Sequence, residues 1–138
     1  MNRGINKETL EDSEIKGKNT RANPIRIDVL IPSQTEVYIT EISEAMKIEK
    51  AATVRMLIWF ALRFAPPVEL AEIADKKSFK TDGVSDNRLD TRITQDMLDE
   101  IENLMKVVKQ SKSSAVKTLL YWALANIGSY TIADWLSK

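Results

Sequence analysis

An internal repeat sets the strongest limit on how this chain can fold. Slid along itself by about sixty residues, the stretch 26–63 falls into register with the stretch 88–125 without a gap. Arg26 matches Arg88, Asp28 matches Asp90 and Ile31 matches Ile93. Ile39, Lys47 and Lys50 match Ile101, Lys109 and Lys112. Val54, Leu57, Ala61 and Leu62 match Val116, Leu119, Ala123 and Leu124. About ten identities fall in about forty positions, and most other positions are alike in character. Any fold must therefore use one local plan twice.

The plan has three parts. It begins with period-two alternation, the mark of a strand with one covered face. In Arg26-Ile27-Asp28-Val29-Leu30-Ile31 the residues Ile27, Val29 and Ile31 share a face. In Arg88-Leu89-Asp90-Thr91-Arg92-Ile93, Leu89, Thr91 and Ile93 do so. A helix-period stretch follows, with Val37, Ile39, Ile42 and Met46 along one side in the first copy. Leu98, Ile101, Leu104, Met105 and Val108 take that role in the second. Ser33 with Glu36 reads as a capping box, and Thr94 as an N-cap with Asp96 and Asp99 in the first turn. After a short break at Lys47-Ile48 or Lys109-Gln110, a second helix is predicted over 50–64 and 112–127. Ser111 is its N-cap in the second copy, where the first has the weaker Glu49, and Gly128 is a stop.

The copies occupy residues 23–65 and 87–127, joined by a linker, 66–86. A short helix starting at Pro67 and running to Asp75 is predicted in it, with loop over 76–87. Residues 1–22 are polar with mixed charge, a composition expected to stay disordered. Residues 128–138 form an extension with a short helix expected from Tyr130 to Leu136.

The chain has no cysteine and no histidine. That removes disulfides, thiol catalysis, the Ser-His-Asp triad and the usual zinc ligands, and no carboxylate pair has a spacing that demands acid–base chemistry. No enzymatic activity, metal or cofactor is expected. The start of the sequence has no secretory pattern and its longest apolar run, at 56–62, is too short for a bilayer, so a cytoplasmic protein is expected.

Strand, helix, turn and helix in about forty residues resembles the ribbon-helix-helix DNA-binding family, the MetJ, Arc and CopG group. The second copy carries the likeness best: Arg88-Leu-Asp-Thr-Arg-Ile-Thr leads into Met97-Leu98, and Ser111-Lys112-Ser113 opens the second helix. The resemblance implies a mainly α fold with a short two-stranded antiparallel β-ribbon lying in the DNA major groove. It implies base contacts from Arg26, Asp28, Leu30, Arg88, Asp90 and Arg92, and phosphate contacts from Lys50, Ser111, Lys112 and Ser113. The alternation independently turns those six strand residues away from the helices. Arginine there can donate twice to guanine, and aspartate can accept from cytosine. Leu30 stands where the second copy has Arg92, so the two halves are not expected to read the same bases.

The resemblance further implies a transcriptional repressor that binds double-stranded DNA and pairs with itself on adjacent subsites. Two copies in one chain, as in tandem regulators of plasmid transfer, imply a pseudo-two-fold unit whose ribbon forms within one chain or in a swapped dimer. A transfer or partition accessory protein, or an antitoxin holding a toxin with its tails, is the alternative within the same fold. A helical protein-interaction module without DNA binding is the alternative outside it.

Twenty acidic and twenty basic residues cancel, against the basic excess usual in DNA-binding proteins. The distribution is uneven, however. Basic residues gather on the strands and near the second-helix starts, and acidic ones on the first helices (Glu36, Glu41, Glu44, Asp96, Asp99, Glu100, Glu102). The outward strand charges also fit a plain solvated face with cross-strand ion pairs. The pairs Trp59-Phe60 and Tyr121-Trp122 are read as core.

Overall fold

The two alternating stretches are strands, and they pair with each other. In the computed structural model, which describes residues 25–129, β1 (Ile25–Pro32) and β2 (Ser85–Ile93) form a two-stranded antiparallel sheet within the chain. Arg26 faces Arg92, Ile27 faces Thr91, Asp28 faces Asp90, Val29 faces Leu89 and Leu30 faces Arg88. The inward residues Ile27, Val29, Ile31, Leu89, Thr91 and Ile93 are all buried. An isolated two-stranded ribbon is marginal in water, so this apolar face needs helices against it.

Among the described residues there are five helices, three of which pack closely against the ribbon. After β1 come α1 (Ser33–Met46), α2 (Lys50–Phe64) and α3 (Pro67–Lys76). After β2 come α4 (Gln95–Val108) and α5 (Lys112–Asn126), and short 3-10 turns lie at Ser78–Asp82 and Ile127–Ser129. The fold is thus mainly helical with one short ribbon. The expected helices at 50–64 and 67–75 are found, the latter one residue longer. The last helix ends one residue short of 127.

The helices α2 and α5 form the centre of the core. Val54, Leu57, Ile58, Phe60 and Ala61 of α2 are buried, as are Val116, Leu119, Leu120, Trp122 and Ala123 of α5. The Phe60 and Trp122 rings lie 5.3 Å apart between centroids. Trp122 also donates its indole N–H to Glu69 of α3 at 2.8 Å, which ties the linker helix to α5. An α5 buried on most sides is what a chain nearly apolar all round requires.

Several local expectations need correction. Ser33 does not cap α1: Pro32 precedes the helix and no side chain caps it. The Ser33 N–H instead donates to the Val84 carbonyl at 3.0 Å, and the Glu36 carboxylate turns to Lys50. The strand partner has claimed the helix start. The buried residues of α1 are Thr35, Ile39 and Ser43, while Val37 and Met46 are exposed. Its apolar residues lie on more than one side, so periodicity leaves its rotation open and the tie to β2 fixes it. Residues 76–87 are not all loop: they hold a 3-10 turn, and β2 begins at Ser85. Ser85, Asp86 and Asn87 are poor strand formers, and pairing with the end of β1 overrides their preference. A register shift between Ile31 and Pro32 marks where that pairing becomes irregular, since proline has no N–H for the ladder. The expected tail at 1–22 and the helix at 130–136 lie outside the described residues.

Thr94 and Ser111 do cap their helices, accepting from the N–H groups of Met97 and Ser114 at 3.1 and 3.2 Å. Lys47 and Lys109, immediately past α1 and α4, both take a left-handed backbone with φ of 57°. The next residue closes the helix in each case: Ile48 N–H reaches Ser43 and Gln110 N–H reaches Met105, at 3.1 and 3.2 Å.

Two substitutions test this backbone account. At Lys109 the left-handed conformation costs an L-residue about 1–2 kcal/mol, while glycine loses about 0.5–1 kcal/mol more entropy on folding. Lys109→Gly is therefore expected to stabilise by about 0.5–1 kcal/mol in chemical denaturation. Gly83 has φ of 107° and ψ of −167°, a region open essentially to glycine, and an added Cβ would lie 2.5 Å from the Ser33 hydroxyl. Gly83→Ala is expected to destabilise by about 1–3 kcal/mol, mostly retained when Ser33 is also changed to alanine, because the backbone carries the cost.

Candidate nucleic-acid interface

With six residues of the ribbon turned into the core, the alternate six must face away. Arg26, Asp28 and Leu30 of β1, and Arg88, Asp90 and Arg92 of β2, are all exposed. The ribbon thus brings the six expected base-contacting residues onto one surface. Pairing places like charges opposite each other, Arg26 against Arg92 and Asp28 against Asp90. Directly opposed like charges are unfavourable, and the diagonal contacts relieve them.

Arg26 donates to both Asp90 oxygens, from Nε at 3.0 Å and from Nη2 at 2.7 Å. Arg88 donates from Nη1 to Asp28 at 2.6 Å. These are one contact made twice, because Arg26 and Arg88 match in the repeat and so do Asp90 and Asp28. The expected alternative of a strand face with cross-strand ion pairs is thus present in the geometry. It does not exhaust the arginines: a guanidinium has five N–H donors, and Arg26 gives two of them to Asp90. The aspartates hold the guanidinium groups in a fixed direction. The Arg26 hydrogen bond holds the Asp90 carboxyl below the ordinary carboxylate value, and Asp90 in turn raises Arg26.

The second helices flank this ribbon. The Thr91 hydroxyl donates to the Ala51 carbonyl at 2.7 Å, and Arg55 donates to the Arg92 carbonyl at 3.1 Å. Both contacts place the first turns of α2 against β2. The other second helix, α5, packs against β1. Each helix start leaves backbone N–H groups without intrahelical acceptors, and that of α2 lies next to the ribbon edge.

The expected phosphate-contacting residues differ in their surroundings. Lys50 forms an ion pair with Glu36. Lys112 is exposed, and Leu98 stands at the repeat position of Glu36, so the equivalent carboxylate is missing there. Ser111 accepts from Ser114 as the helix cap, and Ser113 is half-buried in the first turn. Arg55 is a residue the sequence reading did not single out. It matches Lys117 in the repeat, and that shared basic position was the available signal.

Among the described residues, no cluster of three or more acidic side chains could hold a metal ion, and no helix is long and apolar enough to cross a membrane. No family model matches the chain, and no curated protein or solved structure matches it.

The Arg26–Asp90 pair has a definite pH signature. Because folding lowers the Asp90 pKa, its stabilisation is present above the ordinary carboxylate range and is lost as pH falls through the lowered value. Asp90→Asn is expected to be less stable than the parent at neutral pH. The difference should close in stronger acid, as read by denaturation midpoints across pH. A difference independent of pH would mean that the ion pair contributes nothing.

Proposed function

We propose that this chain is a sequence-specific double-stranded DNA-binding protein, a transcriptional repressor, built as two ribbon-helix-helix units in one chain. The observation that carries the reading is the strand register. Asp28 faces Asp90, its own match in the repeat, and the flanking pairs Ile27–Thr91 and Val29–Leu89 exchange under the same match. An antiparallel ribbon between two equivalent units has this exchange symmetry, and here the two-fold axis passes between Asp28 and Asp90. Three further features support a pseudo-two-fold unit: the matched Arg–Asp pairs, the left-handed lysines after α1 and α4, and the contact of Phe60 with its match Trp122.

In this reading the ribbon enters the major groove with its exposed face toward the bases. Arg88 and Arg92 donate to guanine, Arg26 offers its remaining donors, and Asp28 and Asp90 hold the guanidinium groups or accept from cytosine. Leu30 meets a thymine methyl where Arg92 makes polar contacts, so the bound subsite is asymmetric. The starts of α2 and α5 receive phosphates from the two sides of the groove, with Lys112 the more available lysine and Lys50 shared with Glu36. Two chains on adjacent subsites would extend the readout.

The ion pairs across the ribbon favour one competing reading, in which that face is a solvated surface and the protein a helical interaction module. Selection of bound fragments from a genomic library, followed by mobility shift of the recovered duplex, separates the two. Arg92→Ala is expected to weaken binding to that duplex by about 1–3 kcal/mol and to relax preference at one position. A chain that shifts no genomic or random duplex even at low salt is the interaction module instead.

A further inference from the structure

The linker between the two segments does more than join them. Its 3-10 turn, Ser78–Asp82, packs against α5, α1 and β1, beside the ribbon and the start of α5. Phe79 is buried there, 3% exposed, and anchors the turn. Lys77 and Lys80 lie on either side of it, three residues apart, and the Lys80 N–H donates to the Lys77 carbonyl at 2.9 Å. Lys77 itself takes a left-handed backbone, φ 48°, at the junction between α3 and the turn. Lys77 Nζ donates to Gln110, just before the α5 cap, at 2.9 Å. From α5 itself, the Lys117 ammonium sits over the Phe79 ring, 5.6 Å from its centroid. Ser113 and Lys117, four residues apart, share a face of α5.

The Lys117 ammonium thus lies over a buried ring that Lys77 and Lys80 flank in the chain. Partial burial lowers the Lys117 pKa, and Lys77 and Lys80, the charged groups that bear on it and both of its own sign, lower it further. Like charges held together by packing make a local positive potential that an anion would relieve. The repeat underlines the change of use. Arg55, the match of Lys117, reaches across to the Arg92 carbonyl, whereas Lys117 is held by the linker ring.

We propose that Lys77, Lys80 and Lys117 form a phosphate-binding site beside the start of α5, which receives the DNA backbone next to the phosphate held by the helix terminus. The inference rests on the DNA-binding reading above and names a part of the contact that the ribbon and helix starts do not supply. It makes the linker a component of the interface. The ammonium groups act as point charges, so the site neutralises phosphate without reading sequence.

The test is the salt dependence of binding by the full chain to a short random-sequence duplex, followed by fluorescence anisotropy. The slope of log K against log salt falls in magnitude by about 0.9 for each phosphate no longer neutralised. Lys80→Gln with Lys117→Gln is expected to flatten the slope by about one such step or more. Arg63→Gln, a change in the last turn of α2 where Arg63 pairs with Glu100, is expected to leave it unaltered. Lys80→Gln alone covers the case in which replacing Lys117 disturbs its packing on Phe79, since Lys80 is exposed. A parent chain that binds while the Lys80 and double variants keep its slope overturns this site alone. A parent chain that does not bind the duplex at low salt overturns the DNA-binding reading and this site with it.

Discussion

The ladder between β1 and β2 is the contact on which the rest of the molecule depends. It joins residues some sixty positions apart, and closing that loop costs entropy that grows only slowly with its length. What offsets the cost is burial of Ile27, Val29, Ile31, Leu89, Thr91 and Ile93 beneath the helices. Neither strand has another partner among the described residues. Without the ladder each would be an exposed edge, α1 would lose the Ser33–Val84 tie, and α2 and α5 would lose the surface they share.

The same ladder organises the charges. A net charge of zero conceals an ordered outer face, on which pairing sets like charges opposite each other and the diagonals set arginine against aspartate. Such exposed pairs contribute little to stability. Their larger consequence is placement: carboxylates hold two guanidinium groups on the exposed face of the ribbon, which would lessen the entropy lost in the proposed DNA contact. Stability and proposed recognition thus draw on opposite faces of the same two strands.

The linker carries more than connection. α3 is tied to α5 through Glu69 and Trp122, and the 3-10 turn beyond it is anchored by Phe79 beneath Lys117. Backbone closure at this end requires Gly83, whose conformation other residues rarely take. The segment that carries the chain from the first repeat to the second is therefore packed along most of its described length, and it brings basic side chains to the head of α5.

Much of this is legible in the sequence because it is local. Alternation of Ile27, Val29 and Ile31 fixes which strand residues are covered, and hence which six are exposed, since neighbouring side chains on a strand point to opposite faces. The caps at Thr94 and Ser111, and the turns at Lys47 and Lys109, are likewise settled within a few residues. The sequence by itself therefore determined the strands and long helices, the repetition and the two faces of each strand, though not the 3-10 turn at Ser78–Asp82. Only the tertiary structure decided the register that sets Asp28 against Asp90, the diagonal ion pairs, the early start of β2 at Ser85, and the burial of Thr35 and Ser43 in place of Val37 and Met46. It also decided that Lys117 of α5 lies over the linker ring of Phe79. Each of these depends on a partner distant in sequence, and local preference has no knowledge of that partner until the ladder closes.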